Sequence, residues 1–287
     1  MSKELHGTII RDIQEGVEME SRQPLFTVVT VTLNCAEDAC RTAQSVLDQD
    51  FNDYEYVVKD GGSTDGTIER VRDLGISVWV SEDSGIYDAM NKALVYCSGE
   101  YILFLNAGDL LYSAHTLRRV AEWQNDNNMS EFAYGDVQSY AKHPFVARLA
   151  MGIKYRNHLS RFYLYRKMIC HQAWFVHTAV FSKYGGFNVQ YPLSADYEFL
   201  LKMVLQNRAR YSHMPFFVAT YKGGGASEID NPRVAQEKND IQKRYFPRWE
   251  RIFYKFMYHT VWFIGKRIVY RFIWLLPPSL KGRALGW

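Results

Sequence analysis

Four short apolar runs in the N-terminal half of the chain each end in polar residues that could take part in chemistry. Asn34, Asp60 and Asp83 follow the first three runs, and Asn106 to Asp109 follow the fourth. Carboxylates and amides can accept protons, bind a divalent cation or hydrogen-bond to a nucleotide. Asn, Asp and Gly are also ordinary turn and cap residues in any α/β protein, but their recurrence after four runs favours a shared site.

The spacing of apolar residues predicts the elements that would position these side chains. FTVVTVTL, YEYVV, ISVWV and YILFL read as strands, and helical patterns such as TIERVRDL and the stretch from about Ile86 to Tyr96 separate them. This alternation predicts an α/β fold with a mostly parallel sheet flanked by helices. Because ligands bind at the carboxyl ends of such strands, the four polar loops should face one crevice.

A basic segment follows further along the chain, and Asp196 is the first acid after it. Val137 to Ala195 contains eight Lys or Arg residues and no Asp or Glu. Such a segment would attract anions, phosphate above all, unless it is simply a solvated basic face. Asp196 follows directly in SADYEFLLKM, which reads as an amphipathic helix, so this carboxylate is either a helix cap or a general base.

The C-terminal tail differs in composition from the rest of the chain. Residues 243–287 hold ten of the 34 Lys and Arg residues, one of the 31 acidic residues and 13 of the 44 aromatic residues. Trp249, Phe253 and Phe256 recur at helical spacing, with basic residues mainly on the other side. This pattern predicts an amphipathic helix at an anionic membrane surface, with packing onto the domain or a dimer seam as the alternatives.

Composition excludes several classes of protein. The 287 residues are 47% hydrophobic and 23% charged, which is typical of a globular chain and not of a disordered one. The apolar stretches Phe256 to Ile264 and Phe272 to Pro278 fall short of the roughly 20 residues of a membrane span. The N-terminus lacks the apolar run of a signal peptide, and the four cysteines have no metal-ligand spacing. We therefore expect a cytoplasmic protein with reduced, mostly structural thiols.

Three stretches together resemble the family 2 glycosyltransferases of GT-A fold, in particular bacterial enzymes of capsule, O-antigen or colanic-acid-type exopolysaccharide synthesis. They are TVTLNCAEDACRTAQSVLDQDFNDYEYVVKDGGSTDGT, SEDSGIYDAMNKALVYCSGEYILFLNAGD and CHQAWFVHTAVFSKYGGFNVQYPLSADYEFL. The resemblance covers about Phe26 to Ser227. It implies an inverting transferase that uses a nucleotide-sugar, most often a UDP-sugar, with Mn²⁺ or Mg²⁺ at the diphosphate.

The resemblance also implies roles for individual residues. Asp109 would bind the metal and Asp196 would be the general base. The motif departs from the family pattern at Gly61, Gly108 and Ala195, where acids are common, and His171 and His213 are the other conceivable metal ligands. The residues expected to bind the nucleotide-sugar are Thr32, Asn34, Asp60, Asp65, Asp83, Lys92, Asn106, Ala107 and Gly108.

The acceptor implied by the resemblance is a saccharide linked to polyprenyl diphosphate at the inner face of the cytoplasmic membrane. A peripheral membrane location follows, with a homodimer as a further possibility. Residues expected to meet the acceptor's phosphates are Arg156, Arg161, Arg166, Lys167 and His171. Residues expected at the membrane are Arg248, Trp249, Arg251, Phe253, Lys255, Phe256 and Trp262.

The expected organisation has three parts: an extension (1–24), a GT-A domain (25–230, with nucleotide-binding and acceptor-binding halves at 25–112 and 113–230) and the tail (231–287).

A nucleic-acid-binding protein is disfavoured because the chain outside residues 243–287 is net acidic and the sequence contains no standard binding module. A nucleotidyltransferase or other α/β nucleotide enzyme finds support only in the strand and helix layout, since the chain has neither a Walker A motif nor GxGxxG. An inactive GT-A scaffold is the remaining alternative.

Overall fold

The computed structural model describes residues 23–127, 130–139, 152–223, 232–258 and 260. Nearly all of the predicted N-terminal extension lies outside these ranges, as does Trp262 of the predicted membrane-binding set. The domain boundaries drawn from the sequence stay predictions.

Within the described ranges, eight strands form one sheet. The strands are β1 (Phe26–Thr32), β2 (Tyr54–Asp60), β3 (Val78–Val80), β4 (Tyr101–Phe104), β5 (Leu110–Leu111), β6 (Phe132–Ser139), β7 (Trp174–His177) and β8 (Tyr211–Tyr221). Their order across the sheet is β3-β2-β1-β4-β7-β6-β8-β5.

Helices connect and flank these strands. In chain order they are α1 (Ala36–Leu47), α2 (Thr67–Arg72), α3 (Ile86–Ala93), α4 (Thr116–Asp126), α5 (Arg161–Arg166), α6 (Thr178–Tyr184), α7 (Ala195–Leu201), α8 (Pro232–Tyr245) and α9 (248–258). Short 3₁₀ turns occupy Leu94–Tyr96 and His171–Ala173, and a π-helical turn at Lys202–Gln206 follows α7.

The first half of the sheet confirms the predicted α/β arrangement. Strand β1 pairs in parallel with both β2 and β4, and β2 pairs in parallel with β3. Every residue of β1 is buried, because helices cover both faces of a central parallel strand. Helix α1 buries Ala39, Ala43 and Val46 and exposes its charged side. The carboxyl ends of β1, β2 and β3 therefore lie side by side, as predicted.

The second half of the sheet is mixed. Strand β7 runs antiparallel between β4 and β6, and β5 runs antiparallel to β8, whereas β6 and β8 are parallel. The prediction of a mostly parallel sheet thus describes the first half, since the strand and helix alternation on which it rested ends with β4. The antiparallel β7 places the 3₁₀ turn at His171–Ala173 beside the end of β4.

Close backbone approach fixes the junction of the two halves. A Cβ atom at Gly99 would lie 2.5 Å from the backbone nitrogen of Thr27, so only glycine permits this turn to lie against β1. The rings of Phe26 and Phe175, from β1 and β7, meet edge to face with centroids 5.0 Å apart. Aromatic packing of this kind contributes about 1 kcal/mol beyond burial.

Helices α5, α8 and α9 pack together, and through them the tail packs back on the main core of the domain. The Arg161 guanidinium binds the Glu250 carboxylate through contacts of 2.7 to 3.0 Å. Tyr254 of α9 packs on Phe162 and Tyr165 of α5, with ring centroids 5.2 and 5.3 Å apart. No helix in the described part of the chain has the length and apolar character needed to cross a membrane.

Candidate active site

The loop after β2 is closed around the carboxylate of Asp60. Its Oδ1 accepts hydrogen bonds from the backbone N–H groups of Gly62 and Ser63, at 2.8 and 2.6 Å. Its Oδ2 accepts from the hydroxyls of Ser63 and Thr32, at 2.6 and 2.7 Å. Burial raises the pKa of Asp60, but these hydrogen bonds outweigh burial and the pKa lies below its ordinary value. Thr32 and Asp60 are thus joined at the carboxyl ends of two adjacent strands.

Asn34 and Asp65 fasten the loop after β1 to the loop after β2. Asn34 has left-handed backbone, with φ of 49°, and its side-chain oxygen accepts a hydrogen bond from the Thr64 N–H at 2.9 Å. Asp65 accepts from the N–H of Ala36, at the start of α1, and from the N–H of Thr67, at the start of α2. Both side chains predicted to bind the nucleotide also hold the loops together.

A buried lysine holds the carboxylate of Asp83. Lys59, whose side chain is 1% exposed, donates to Asp83 Oδ2 at 2.6 Å and to the Ser81 carbonyl at 2.7 Å. Asp83 Oδ1 is buried and accepts no hydrogen bond from a described residue, while the Lys92 ammonium lies 3.5 Å from it. A Cβ atom at Gly61 would lie 3.2 Å from Asp83 Oδ2. The departure from the acidic family pattern at Gly61 therefore leaves room for the Lys59–Asp83 pair.

An ion pair lies beside the Asn106–Asp109 turn. Gly108 has φ of 96°, and its N–H donates to the Thr42 hydroxyl at 2.8 Å. A Cβ atom at Gly108 would lie 3.4 Å from the carboxyl carbon of Asp38. The Lys222 ammonium binds both oxygens of Asp38, at 2.8 and 2.6 Å. A carboxylate from α1 thus lies next to the position where the family pattern commonly has a second acid.

Two N–H donors hold the buried carboxylate of Asp109. The side-chain amide of Gln172 donates to Oδ2 and the backbone N–H of Lys222 donates to Oδ1, both at 2.9 Å. Gln172 comes from the turn before β7 and Lys222 follows β8. The predicted metal-binding residue is therefore positioned by the second half of the chain, although it follows a strand of the first half.

The same turn contacts the predicted base. His171 Nδ1 lies 3.3 Å from Asp196 Oδ2, and its Nε2 accepts from the side-chain amide of Asn106 at 3.0 Å. Since Nε2 accepts in this arrangement, Nδ1 carries the proton and donates to Asp196. The buried phenol of Tyr87 also lies close to Asp196. Burial, and then the negative charge of Asp196, raise the pKa of that phenol.

Asp196 is more exposed than Asp60, Asp83 and Asp109. It lies in the first turn of α7, and its side chain is 15% exposed. Its Oδ1 accepts a hydrogen bond from the backbone N–H of Tyr197 at 2.8 Å. An ionised carboxylate with this exposure can accept a proton from a bound hydroxyl group. The turn at His171–Ala173 therefore joins a candidate base to a candidate metal ligand.

The residues around Asn106–Asp109 fit a hard divalent cation that binds together with a diphosphate. The described ranges contain no group of three His, Cys, Asp or Glu residues arranged to hold a metal alone. However, Asn106 Oδ1 is buried without a hydrogen-bond partner, and the oxygens of Asp109 and Asp38 lie in the same region. Mg²⁺ and similar ions need only one or two carboxylates when phosphate oxygens and water complete the shell.

The two histidines considered as metal ligands have other partners. Both ring nitrogens of His171 are engaged, as described above. His213 Nε2 lies 2.9 Å from Asp136 Oδ1, and His213 Nδ1 lies 2.6 Å from Asn157 Oδ1. Because His213 is near the far end of β8 from Lys222, roughly 30 Å away at about 3.3 Å per residue, it cannot share a metal with Asp109.

The structure does not bring together all the basic residues predicted to bind phosphate. Arg161 is paired with Glu250, and Arg156 lies over the ring of Tyr163 at 5.9 Å. Arg166 and Lys167, at the end of α5, instead line a pocket with residues of α9. The phosphate-binding role of each of these residues stays a prediction.

Burial makes two of the thiols, those of Cys35 and Cys97, unsuited to nucleophilic catalysis. All four cysteines lie in the described ranges, where each is half-buried and outside any disulfide. Burial, with a smaller effect of Glu55, raises the pKa of Cys97 to about 12, and burial also raises the pKa of Cys35. The thiols of Cys35 and Cys97 therefore stay protonated near neutral pH.

Sequence reasoning missed several residues that organise the site. Gln172 and His171 belong to the same CHQA turn, but only the histidine was singled out. Asp38 and Lys222 form an ion pair across most of the chain's length, and no periodicity could have indicated it. The site residues that the sequence did not reveal are Asp38, Lys59, Tyr87, Gln172 and Lys222.

Comparison with known proteins agrees with this geometry. A family model described as glycosyl transferase family 2 matches residues 27–185. The PGL/p-HBAD biosynthesis glycosyltransferase of Mycobacterium bovis (strain BCG / Pasteur 1173P2) is 33% identical over 220 residues, which cover 75% of this chain and 82% of that protein.

Solved structures share the fold at lower sequence identity. S. aureus TarS 1–349 in complex with UDP-GlcNAc superposes with a TM-score of 0.58 at 19% identity, over 75% of this chain and 65% of that chain. This chain spans 44% of a longer TarS chain. The mannosyltransferase PcManGT from Pyrobaculum calidifontis, in complex with GDP-Man and Mn²⁺, superposes with a TM-score of 0.54 at 20% identity, over 72% of this chain and 59% of that chain.

The family match covers more than half of the chain, and its motif residues lie at the carboxyl ends of β1, β2 and β4, as expected of a GT-A fold. The mycobacterial relative is similar over most of both proteins. The sequence motifs, the sheet and the relatives agree: the chain belongs to the family 2 glycosyltransferases and is a transferase.

Proposed function

We propose that this protein transfers a sugar from a UDP-sugar to a hydroxyl group of a lipid-linked saccharide, with inversion at the anomeric carbon. One observation carries the proposal: the turn at His171–Ala173 contacts Asp196 through His171 and Asp109 through Gln172. A base and a donor-binding carboxylate are therefore held in fixed relation by one rigid turn. Such an arrangement suits direct displacement, in which the attacking hydroxyl and the leaving diphosphate lie on opposite sides of the sugar.

Asp196 is the general base in this mechanism. Its carboxylate takes the proton of the acceptor hydroxyl as the oxygen attacks the anomeric carbon, while the bond from that carbon to the diphosphate breaks. His171 donates a hydrogen bond to the carboxylate and so orients it. Because one carboxylate serves as base and no second nucleophile is needed, the configuration at the sugar carbon inverts.

The loops after β1, β2 and β3 bind the nucleoside in this proposal. Asp83 Oδ1 has an unused acceptor position under the partly exposed side chain of Lys92. Movement of Lys92 would open this oxygen to the N3–H group of uracil. Cytosine presents an acceptor at the same ring position, so the site should prefer UDP to CDP. The nucleotide-sugars named in the TarS and PcManGT structures, UDP-GlcNAc and GDP-Man, are donors of this general class.

Asp109, Asp38 and Asn106 are the residues that would hold Mn²⁺ or Mg²⁺. When bound, the cation would neutralise the charge that develops on the leaving diphosphate. The Lys222 ammonium is paired with the Asp38 carboxylate in this structure. The lysine side chain must therefore turn away if Asp38 is to bind the metal. The released ammonium would then be available to a phosphate oxygen.

We further propose that the acceptor is made at the cytoplasmic face of the membrane for a cell-surface glycan. The basic end of α5 and the exposed aromatic residues of α9 support a lipid-linked acceptor. The mycobacterial relative carries a name that refers to PGL/p-HBAD biosynthesis, which supports an envelope pathway.

Calorimetric binding of UDP, CDP, GDP and dTDP, each with Mn²⁺ and with EDTA, tests the donor assignment. We expect UDP to bind most tightly and its binding to weaken in EDTA. Equal UDP affinity in both solutions would remove the metal from the proposal, and equal affinity for UDP and CDP would remove the role of Asp83. If no nucleotide binds in either solution, the chain is an inactive GT-A scaffold. Where transfer is observed, proton NMR of the first product formed gives the anomeric configuration of the transferred sugar.

A further inference from the structure

Residues at the ends of helices α5 and α9 line a pocket of about 350 Å³ that is open to solvent. It lies where the basic segment predicted to meet the acceptor contacts the tail predicted to meet the membrane. Its lining residues are Tyr165, Arg166, Lys167, Tyr254, Lys255 and Tyr258. Residues of both predicted sets therefore line one pocket.

Three cations converge on this pocket. Arg166, Lys167 and Lys255 are exposed, and none of them forms an ion pair with a carboxylate among the described residues. The neighbouring carboxylate of Glu250 is already bound by Arg161. Arg166 lies 4.4 Å over the ring of Tyr258, which restrains the guanidinium at the pocket wall. Three unpaired cations with phenol donors nearby favour a ligand with several anionic oxygens.

An exposed apolar stripe on α9 borders the pocket. Its members are large and solvent-exposed, from 36% for Met257 to 66% for Trp249, and they recur at helical spacing. Tyr254 lies on the opposite side of α9, packed on α5, and Lys255 lies between the two sides. The stripe consists of Trp249, Ile252, Phe253, Phe256 and Met257.

The arrangement matches the depth profile of a membrane interface. An amphipathic helix at such an interface buries its apolar side at the level of the upper acyl chains and keeps basic residues among the phosphates. With the apolar stripe so placed, the pocket would lie at phosphate depth. A free anion would contact only the basic pocket. A lipid has a phosphate that can bind in the pocket and an apolar chain in the membrane layer that the stripe would enter.

We propose that this pocket binds the diphosphate of a polyprenyl-type lipid while the apolar stripe lies in the membrane interface. The inference rests on the proposed function and locates its acceptor. A diphosphate carries two negative charges and more acceptor oxygens than the single phosphodiester of a common phospholipid, which suits three cations better. The pocket is also tied to the reaction centre, because the hydroxyl of Tyr197, the neighbour of Asp196, donates to the Leu164 carbonyl of α5 at 2.9 Å.

Vesicle co-sedimentation of the full chain tests the proposal. The vesicles are neutral phosphatidylcholine with a small fraction of polyprenyl diphosphate, or with phosphatidylglycerol at equal surface charge. The variant is Lys167→Gln/Lys255→Gln, and the matched control is Lys238→Gln/Lys243→Gln, which removes the same charge from exposed positions of α8. Inorganic pyrophosphate is the soluble competitor.

We expect wild-type protein to bind the diphosphate vesicles more tightly than the phosphatidylglycerol vesicles. The pocket variant should lose about tenfold or more in affinity for the diphosphate vesicles, since each basic residue at a lipid surface contributes about 1 kcal/mol. The control should lose about twofold or less, and pyrophosphate should weaken binding only partly. Phe256→Ser should weaken binding to both kinds of vesicle, because it shortens the apolar stripe.

Several results would overturn the inference. If the pocket variant and the control lost equal affinity for the diphosphate vesicles, the overall charge of the protein would explain the binding and the pocket would have no specific role. Equal wild-type affinity for the two kinds of vesicle would exclude the diphosphate as the ligand. A stable dimer in sedimentation velocity that binds no vesicles would show the stripe to be a subunit seam. UDP binding, measured on the same samples, separates these failures from failure of the proposed function, which concerns the donor site.

Discussion

The loops after β1 to β3 and the first turn of α7 use aspartate for opposite purposes. Asp60 accepts hydrogen bonds from two backbone N–H groups and two hydroxyls, and it is fully buried. Asp196 is partly exposed, and its contact with His171 is a long one of 3.3 Å. A carboxylate surrounded by donors fixes a loop, whereas a carboxylate with spare accepting capacity can take a proton. Substitutions should therefore cost stability in the first region and turnover in the second.

The largest effect should come from Asp196→Asn. The amide cannot take the acceptor's proton, so the transfer rate should fall by about 10²- to 10⁴-fold, the usual contribution of a general base. UDP affinity and the melting temperature should stay close to wild type, because Asp196 lies outside the nucleoside loops. Single-turnover transfer, UDP calorimetry and thermal unfolding check the three expectations.

A matched substitution sharpens this result. Glu198, on the same helix, is buried and accepts a hydrogen bond from Tyr245. Glu198→Gln should reduce thermal stability while leaving the transfer rate per folded molecule nearly unchanged. If Asp196→Asn turned over as fast as wild type, the assignment of the base would be wrong.

Lys59→Met should have the largest effect on stability. The substitution removes the cation from a buried pair and leaves the Asp83 carboxylate without its main partner. Removing one member of such a pair costs about 3 to 5 kcal/mol in the free energy of unfolding. Denaturant unfolding measures this loss in the free energy of unfolding. Lys92→Met is the control, because Lys92 is 43% exposed and solvent screens its ion pairs, so that its loss should cost much less. Equal losses in the two variants would contradict the distinction between buried and exposed partners.

Asp60→Asn should destabilise the protein by about 2 kcal/mol, because charge-assisted hydrogen bonds become neutral ones. The effect should depend on pH. The folded-state pKa of Asp60 lies below the ordinary value of 3.8, so its contribution is complete above that value and is lost as pH falls through the lower folded-state pKa. The difference in unfolding free energy between wild type and variant should therefore shrink in acid. A difference independent of pH would show that the charge of Asp60 is unimportant for the loop.

The first half of the fold was predictable from sequence, and so was the edge of the sheet at which the candidate site lies, because local patterns specify both. The roles of the individual site residues stay predictions. Strands β1 to β4 are short apolar runs with helices between them, and their polar ends meet at one edge. The contacts of Asp109 with Gln172 and Lys222 were not predictable, since they join distant parts of the chain through the antiparallel β7 and through β8. The register between β6 and β8 also shifts near Gly135 and Asp136, and this shift interrupts the alternation of inward and outward residues along β8.

The smallest expected effect separates backbone conformation from hydrogen bonding in the first region. Asn34 has φ of 49° and also bonds to the Thr64 N–H. Asn34→Ala and Asn34→Gly both remove that bond, but only alanine is strained at a left-handed position, by about 1 kcal/mol or somewhat more. Chemical unfolding should therefore find the alanine variant less stable than the glycine variant by about that amount. If the order were reversed, the flexibility that glycine gives the unfolded chain would outweigh strain, and the loop would owe its shape to the hydrogen bonds around Asp60.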